Sequence, residues 1–339
     1  MLVVLLHVSN EYYTAIYNTP LESAVYWWAS TVYKSLTLSC VPLFVMLSGA
    51  LLLQPSKINE HIRVFLRKRA NRIGLAYAFW SAVYLAWGFY VTQIPITLYN
   101  VIQGIIIGLF TGPWYHFWFI YIIVGLYLVT PILRAVIAFK RQNILRYLIV
   151  LWCIAVAIVP FLQLLTGYTL NGSVFVFGGW IGYFVLGIYL QKVRLRSSIL
   201  YGLFFLGLIW TISSTWFMNF LFSSLEQDHF FFDYLTANVI VASVALFMIL
   251  SRFNADWPGS NHPRASRVVH AISCNTLPIF LLHVIILESL HMGYFGFKLS
   301  LTVMNPVIGV PLITIVTFFV TFGLVLLMKK IPVLKKLIG

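Results

Sequence analysis

The feature that most constrains this chain is a succession of apolar runs, each near the ~20 residues a helix needs to cross a bilayer. They fall at roughly 32–53, 74–92, 115–137, 145–165, 174–190, 199–219, 231–251, 271–290 and 307–328. A further apolar piece, MLVVLLHV, opens the chain at Met1. Composition agrees: 61% of the 339 residues are hydrophobic and 9% are charged, against ~25% charged in a soluble domain. A soluble enzyme, a disordered chain and a secreted disulfide scaffold are excluded. The alternating ~10-residue strands of a membrane β-barrel are not in the sequence. The fold class is therefore all-α, a polytopic transmembrane bundle, with residues 1–339 forming one integral-membrane domain.

Charge sets the expected topology. Every Lys and Arg except Lys34 and Lys298 falls in every second connection: 54–73, 134–146, 192–196, 252–267 and 329–336. The intervening loops carry Glu11, Glu22, Glu226, Asp228 and Asp233 instead. Basic loops stay in the cytoplasm, so the net charge of +14 marks orientation and calls for no nucleic acid. The loop 10–31 then faces outside, and MLVVLLHV must reach it from the cytoplasm as a first helix. Eight residues do not cross, and no cleavable leader pattern surrounds them. The expectation is a first helix cut short in this sequence, about ten helices in all, and both termini cytoplasmic.

Ionisable groups within a membrane are expensive and are functional candidates by default. His7 lies near the outer end of the first helix, His116 opens the fourth span, and His283 sits mid-span in the ninth, followed by Glu288 and His291. These groups are candidates to line one outward-leaning cavity, where a histidine of near-neutral pKa suits a general base. A neutral histidine bonded between helices is the alternative. In NEHIRVFLRKRANR, Arg63 and Arg67 are spaced i,i+4, and Arg69 and Arg72 i,i+3, so each pair shares a helix face. Such a face contacts anionic headgroups or binds phosphate. Ser48-Gly49 and Gly178-x-x-x-Gly182 read as packing motifs before chemistry. The run WYHFWFIY at Trp114–Tyr121 reads as an interfacial belt that also offers stacking faces for a sugar. The loop acids with His229 match no metal spacing, Cys40, Cys153 and Cys274 read as inert buried thiols, and no metal is expected.

In order and spacing, VPLFVMLSGALLL (41–53), Arg69-x-x-Arg72, HFWFIYIIVGLYLVTPILR (116–134), GWIGYFVLGIYL (179–190) and LPIFLLHVIIL (277–287) resemble the integral-membrane acyltransferase-3 family. MLVVLLHVS looks like the second half of that family's first helix. Within the family the chain looks closest to the surface-polysaccharide branch that includes the enterobacterial common antigen O-acetyltransferase. The resemblance implies ten helices, a cytoplasmic acyl-CoA donor and O-acylation of an envelope glycan. It also implies an essential histidine, which His7 matches. The family's Arg about three helical turns earlier would fall before Met1. The family's arginine pair maps onto Arg69 and Arg72.

The expected function is thus a membrane O-acetyltransferase of the bacterial inner membrane, embedded in the lipid bilayer. Acetyl-CoA is the donor, held on Arg69 and Arg72, and His7 is catalytic. A polysaccharide or lipid-linked sugar acceptor rests against Trp114, His116, Trp118 and His283. The competing class is a saccharide transporter or flippase, disfavoured because mid-plane charge is scarce and no paired broken helices are legible.

Overall fold

The computed structural model describes residues 1–18, 24–139, 142–167, 179–222, 230–252, 263–300 and 304–339. Among these, all regular structure is helical: α1 (Leu2–Asn18), α2 (Ala24–Thr37), α3 (Cys40–Leu52), α4 (Ile62–Thr92), α5 (Leu98–Thr111), α6 (Trp118–Ala138), α7 (Gln142–Cys153), α8 (Val159–Thr166), α9 (Ile181–Tyr189), α10 (Ser197–Phe222), α11 (Ala237–Leu250), α12 (Pro263–Cys274), α13 (Thr276–Met292), α14 (Pro306–Met328) and α15 (Pro332–Leu337). Seven helical stretches of the described residues are long and apolar enough to cross a membrane, and an eighth if α12 and α13 count as one bent span. The molecule is a multi-pass helical membrane protein.

Several expected boundaries move. The loop placed at 10–31 is largely helix: α1 runs to Asn18 and α2 begins at Ala24. Lys34 is therefore no loop marker. It lies in α2, 5% exposed, within a span running from Val25 to Leu52 through a break at Leu38–Ser39. The basic elbow and the following span are one 31-residue helix, α4. At 1.5 Å per residue it is ~46 Å long, well over the ~30 Å of hydrocarbon, so its first turns carry the arginines past the apolar layer. Helix α5 was expected as loop. The span 142–166 contains a π turn at Ile154–Ile158. Pro160 has no N–H to give the Val156 carbonyl, and the wider turn, with Val159 N–H on the Ile154 carbonyl, absorbs the mismatch. Cys274 is exposed, unlike buried Cys40 and half-buried Cys153. Lys140, Arg141, Gly178, Glu22, Glu226, Asp228 and His229 lie outside the described residues.

The chain forms two compact units. The first comprises Met1–Asn59, Thr130–Asn261 and Asn305–Pro311, and the second Glu60–Val129, His262–Met304 and Leu312–Gly339. In the first, α3 and α9 cross in backbone contact. A Cβ on Gly49 would stand 1.8 Å from the Phe184 carbonyl oxygen, and one on Gly187 1.9 Å from that of Met46. Gly182 leaves room for the Trp152 ring. Gly49 and Gly182 are thus packing residues. Tyr183, fully buried, donates its hydroxyl to the Tyr234 carbonyl at 2.7 Å, and Ser243 reaches Ser39 at 3.1 Å.

In the second unit α13 runs parallel to α4. Tyr84 meets Leu281, Trp87 meets Glu288, and Tyr90 meets Tyr294 in rising order along both. Short helix α15 brings fully buried Ile338 against α4, where its carbonyl accepts from Trp80.

Candidate active site

Two breaks in helical structure build the polar centre of the second unit. The first is Gly112-Pro113. Gly112 closes α5 with its N–H on the Gly108 carbonyl at φ +98° and ψ 141°, a conformation open essentially to glycine alone. Its missing Cβ also spares Phe117 a 3.1 Å approach. The helix is interrupted there within the stretch Leu98–Ala138, and Trp114 and the single 3-10 turn Tyr115–Phe117 precede α6. The second is Asn275, where α12 and α13 bend by 77°. Pro278 cannot continue an incoming helix but is tolerated in the first turn of a new one. Asn275 Nδ2 bonds the Ala271 carbonyl at 2.6 Å, and Thr276 Oγ1 the Ser273 carbonyl at 3.0 Å, covering the end of α12.

These breaks bring His116 and His283 together. Their ring centroids are 5.6 Å apart, and both residues are buried, at 1% and 0% exposure. Tyr84, Phe117 and Phe280 close around His116 at 5.1, 4.8 and 5.4 Å. Tyr84 is pinned by its hydroxyl donating to the Leu281 carbonyl at 2.7 Å, which ties α4 to α13. His283 Nδ1 lies 2.6 Å from the Phe280 carbonyl. A carbonyl only accepts, so Nδ1 carries the proton. In the neutral tautomer that this bond selects, Nε2 is the nitrogen able to accept a hydrogen bond.

Further along α13, Glu288 accepts two indole N–H groups: Trp87 on Oε2 at 2.6 Å and Trp114 on Oε1 at 2.9 Å. The two donors come from different segments, so together they fix the orientation of the half-buried Glu288 side chain. The Trp114 ring also lies 5.6 Å from that of Tyr84, so aromatic contact is continuous from Glu288 to the histidine pair. Trp118 opens α6 with its ring on Phe119, which packs on Phe280 at 5.6 Å.

At the basic end of α4, the Arg69 guanidinium stands 5.5 Å from the ring centres of both Phe65 and Tyr127, a cation–π arrangement that orients its planar fork. Arg72, one turn on, is exposed. Burial first, and the nearby charges of Arg72 and Lys335 after it, hold the Lys329 ammonium below the usual lysine range. Cations from α4, the end of α14 and α15 therefore gather in one place.

His7 lies on α1 in the first unit, half-buried. Helices α1 and α2 pack on each other across a five-residue connection. Lys34 lies in α2, its Nζ 4.3 Å from the centre of the Phe232 ring.

Of the residues expected from sequence, Trp114, His116 and His283 share one cluster, Trp118 joins it through Phe119, and Arg69 and Arg72 share one helix. His7 belongs to the other unit. Sequence reading missed Tyr84, Trp87 and Lys34. The signal for Lys34 was present: the stretch from Val25 to Leu52 stays apolar on average in spite of it, which places a charge inside a span.

Fold and chemistry together define a class, a multi-pass helical membrane protein whose imidazoles, carboxylate and stacked guanidinium are held by aromatic rings. The family follows from the chain as a whole. Residues 1–327 match the acyltransferase domain of the acyltransferase-3 family, and the protein belongs to that family. No curated protein and no solved structure matches the chain.

Proposed function

We propose that this acyltransferase is an O-acetyltransferase. It moves an acetyl group from cytoplasmic acetyl-CoA to a hydroxyl of an envelope polysaccharide or lipid-linked saccharide. The observation that carries the reading is the family match across residues 1–327, joined to a basic face on α4 suited to a polyphosphate donor. The reading includes ten membrane helices in one domain, placement in the bacterial inner membrane, and both termini cytoplasmic by the distribution of Lys and Arg.

Acetyl-CoA docks with its phosphates on Arg69 and Arg72. The stacking of Arg69 on Phe65 and Tyr127 favours this role, because a guanidinium fixed in orientation pairs with phosphate through two N–H groups. His7 accepts the proton of the acceptor hydroxyl. The oxygen bonds to the thioester carbonyl carbon, the C–S bond breaks, and the departing thiolate takes the proton back from the imidazolium. The alternative course has the His7 ring take the acetyl group first and pass it on. Trp114 and Trp118 offer faces to the acceptor sugar, and His116 and His283 hydrogen-bond its hydroxyls. The fixed tautomer of His283 supports an accepting role for its Nε2. A dry bundle protects the thioester from hydrolysis.

The test uses purified protein, labelled acetyl-CoA and the polysaccharide fraction extracted from cells lacking the protein. Label should pass to the glycan. His7→Ala should abolish transfer while the protein remains folded, and Arg69→Ala and Arg72→Ala should each weaken acetyl-CoA binding. Unchanged affinity in both arginine variants would move the phosphates elsewhere. A deletion strain that loses its whole surface glycan, rather than only the acetyl groups on it, would replace transfer by transport.

A further inference from the structure

We infer that the end of the second unit opposite its arginines holds a saccharide subsite built on Glu288 and the rings of Trp87, Tyr90 and Tyr294. The inference deepens the acyl-transfer reading and rests on it for the identity of the ligand as the acceptor.

Trp87 is the link. Its indole N–H donates to Glu288 Oε2 at 2.6 Å. Its ring lies 5.8 Å from Tyr90 and 6.2 Å from Tyr294, which are 5.6 Å from each other. Tyr90 and Tyr294 are 53% and 50% exposed, so the cluster is anchored on one side and open on the other. All three come from the far ends of α4 and α13. Trp87 and Tyr90 sit in the last two turns of α4, and Tyr294 follows Gly293, which closes α13 at φ +80°. That left-handed turn brings Tyr294 back over α4.

The chemistry fits a pyranose. A sugar ring presents C–H groups on its faces and hydroxyls around its rim. Aromatic rings take the first, since they are large, apolar and amphipathic in tyrosine and tryptophan, and a carboxyl oxygen takes the second as an acceptor. Each oxygen of Glu288 takes one indole N–H, from Trp87 and from Trp114. The two indoles fix the carboxylate in place, so a hydroxyl meets a preoriented acceptor. The Trp114 and Tyr84 rings lead from this carboxylate to His116 and His283. A saccharide seated on the platform would have one rim facing the imidazoles proposed to hold its reacting part. An ordinary interfacial belt accounts for tyrosines at a helix end. It does not account for a carboxylate clamped by two indoles beside them.

The experiment compares wild type with Tyr90→Ala/Tyr294→Ala and with Glu288→Gln. Both tyrosines are exposed and outside the clamp, so the double variant should keep the wild-type melting temperature. With labelled acetyl-CoA and the polysaccharide fraction from cells lacking the protein, we expect the double variant to raise KM for the acceptor about tenfold, two aromatic contacts being worth about 1.4 kcal/mol together. KM for acetyl-CoA should stay put. Glu288→Gln should raise acceptor KM as well. Tryptophan fluorescence titrated with the same fraction gives binding without turnover. Binding that both variants weaken, in a wild type that transfers no acetyl, keeps the subsite and removes the acyl-transfer reading. Transfer with acceptor KM unchanged in both variants, or with both KM values moving together, overturns the subsite and leaves the acyl-transfer reading intact.

Discussion

The two units differ in which polar bonds stand out, although each holds both kinds: Tyr183 to Tyr234 and Ser243 to Ser39 cross between segments in the first, and Thr92, Thr111 and Ser289 turn back on their own helices in the second. In the first, hydroxyls turn back on their own helices: Ser9 on the Leu6 carbonyl, Ser30 on Tyr26, Ser35 on Thr31, Thr37 on Lys34, Thr211 on Gly207 and Thr215 on Thr211. Such bonds satisfy the side chain and leave the helix surface smooth, and glycines then let the backbones touch. In the second unit the prominent bonds run from large rings to distant segments. Tyr77 reaches Gly108, Trp80 reaches Ile338, Tyr84 reaches Leu281, and Trp87 and Trp114 reach Glu288. The contrast separates close backbone packing, which tolerates nothing added, from segments held together through ring donors.

The sharpest test of this contrast is steric. Gly187→Leu places a side chain where the Met46 carbonyl lies 1.9 Å from the first added carbon, and no rotamer relieves a clash with backbone. The expected result is a loss above about 4 kcal/mol, read as little or no folded protein by size exclusion. Gly125→Leu, which meets nothing within 4 Å, should be tolerated. Folded Gly187→Leu protein of normal stability would end the claim of backbone contact.

Next in size is the clamp. Glu288→Ala leaves two partly buried indole N–H groups without their acceptor, at about 1–3 kcal/mol apiece for a fully buried donor, so a loss of about 2–4 kcal/mol is expected. A double-mutant cycle with Trp87→Phe separates the pair from general damage. Coupling of about 1 kcal/mol or more is expected, and additive effects would mean that the hydrogen bond contributes little. Smaller again is Arg69→Lys. The charge survives but the flat stacking between Phe65 and Tyr127 does not, and about 1.4 kcal/mol, or tenfold in acetyl-CoA affinity, should go with it. Arg72→Lys, whose parent side chain is exposed, should cost less. Equal losses would put the phosphate role on charge alone.

What could be read from the sequence divides along physical lines. The spans at 145–165, 199–219, 231–251 and 307–328 fall within a few residues of their helices, because a long apolar run has few other ways to satisfy its backbone in a bilayer. Helix α5 escaped because its 14 residues fall short of a crossing. The start of α2 escaped because Ser30, Thr31, Lys34 and Ser35 look like loop until the bonds of Ser30 and Ser35 to the helix backbone are seen. At the site, His116, His283 and Glu288 stood out as polar groups in apolar runs. Their ring neighbours did not, since nothing in a linear sequence separates Trp87, which donates to Glu288, from a tryptophan that merely faces lipid.

The smallest expected effect concerns Lys34. Taking an ammonium out of water costs several kcal/mol, and a cation–π contact such as the one Lys34 makes with Phe232 recovers part of that. Methionine keeps most of the stem and removes the charge, so Lys34→Met should change stability by less than about 1 kcal/mol, or raise it. The melting temperature in detergent reports this directly. A first unit built only for close packing would be indifferent to the swap in every assay. If instead the melting temperature holds while acetyl transfer falls, Lys34 is retained for the reaction that His7 is proposed to perform. A marked drop in stability would show that the ammonium is a structural member of the unit, and the division between close packing and segments held through ring donors would have to be redrawn around it.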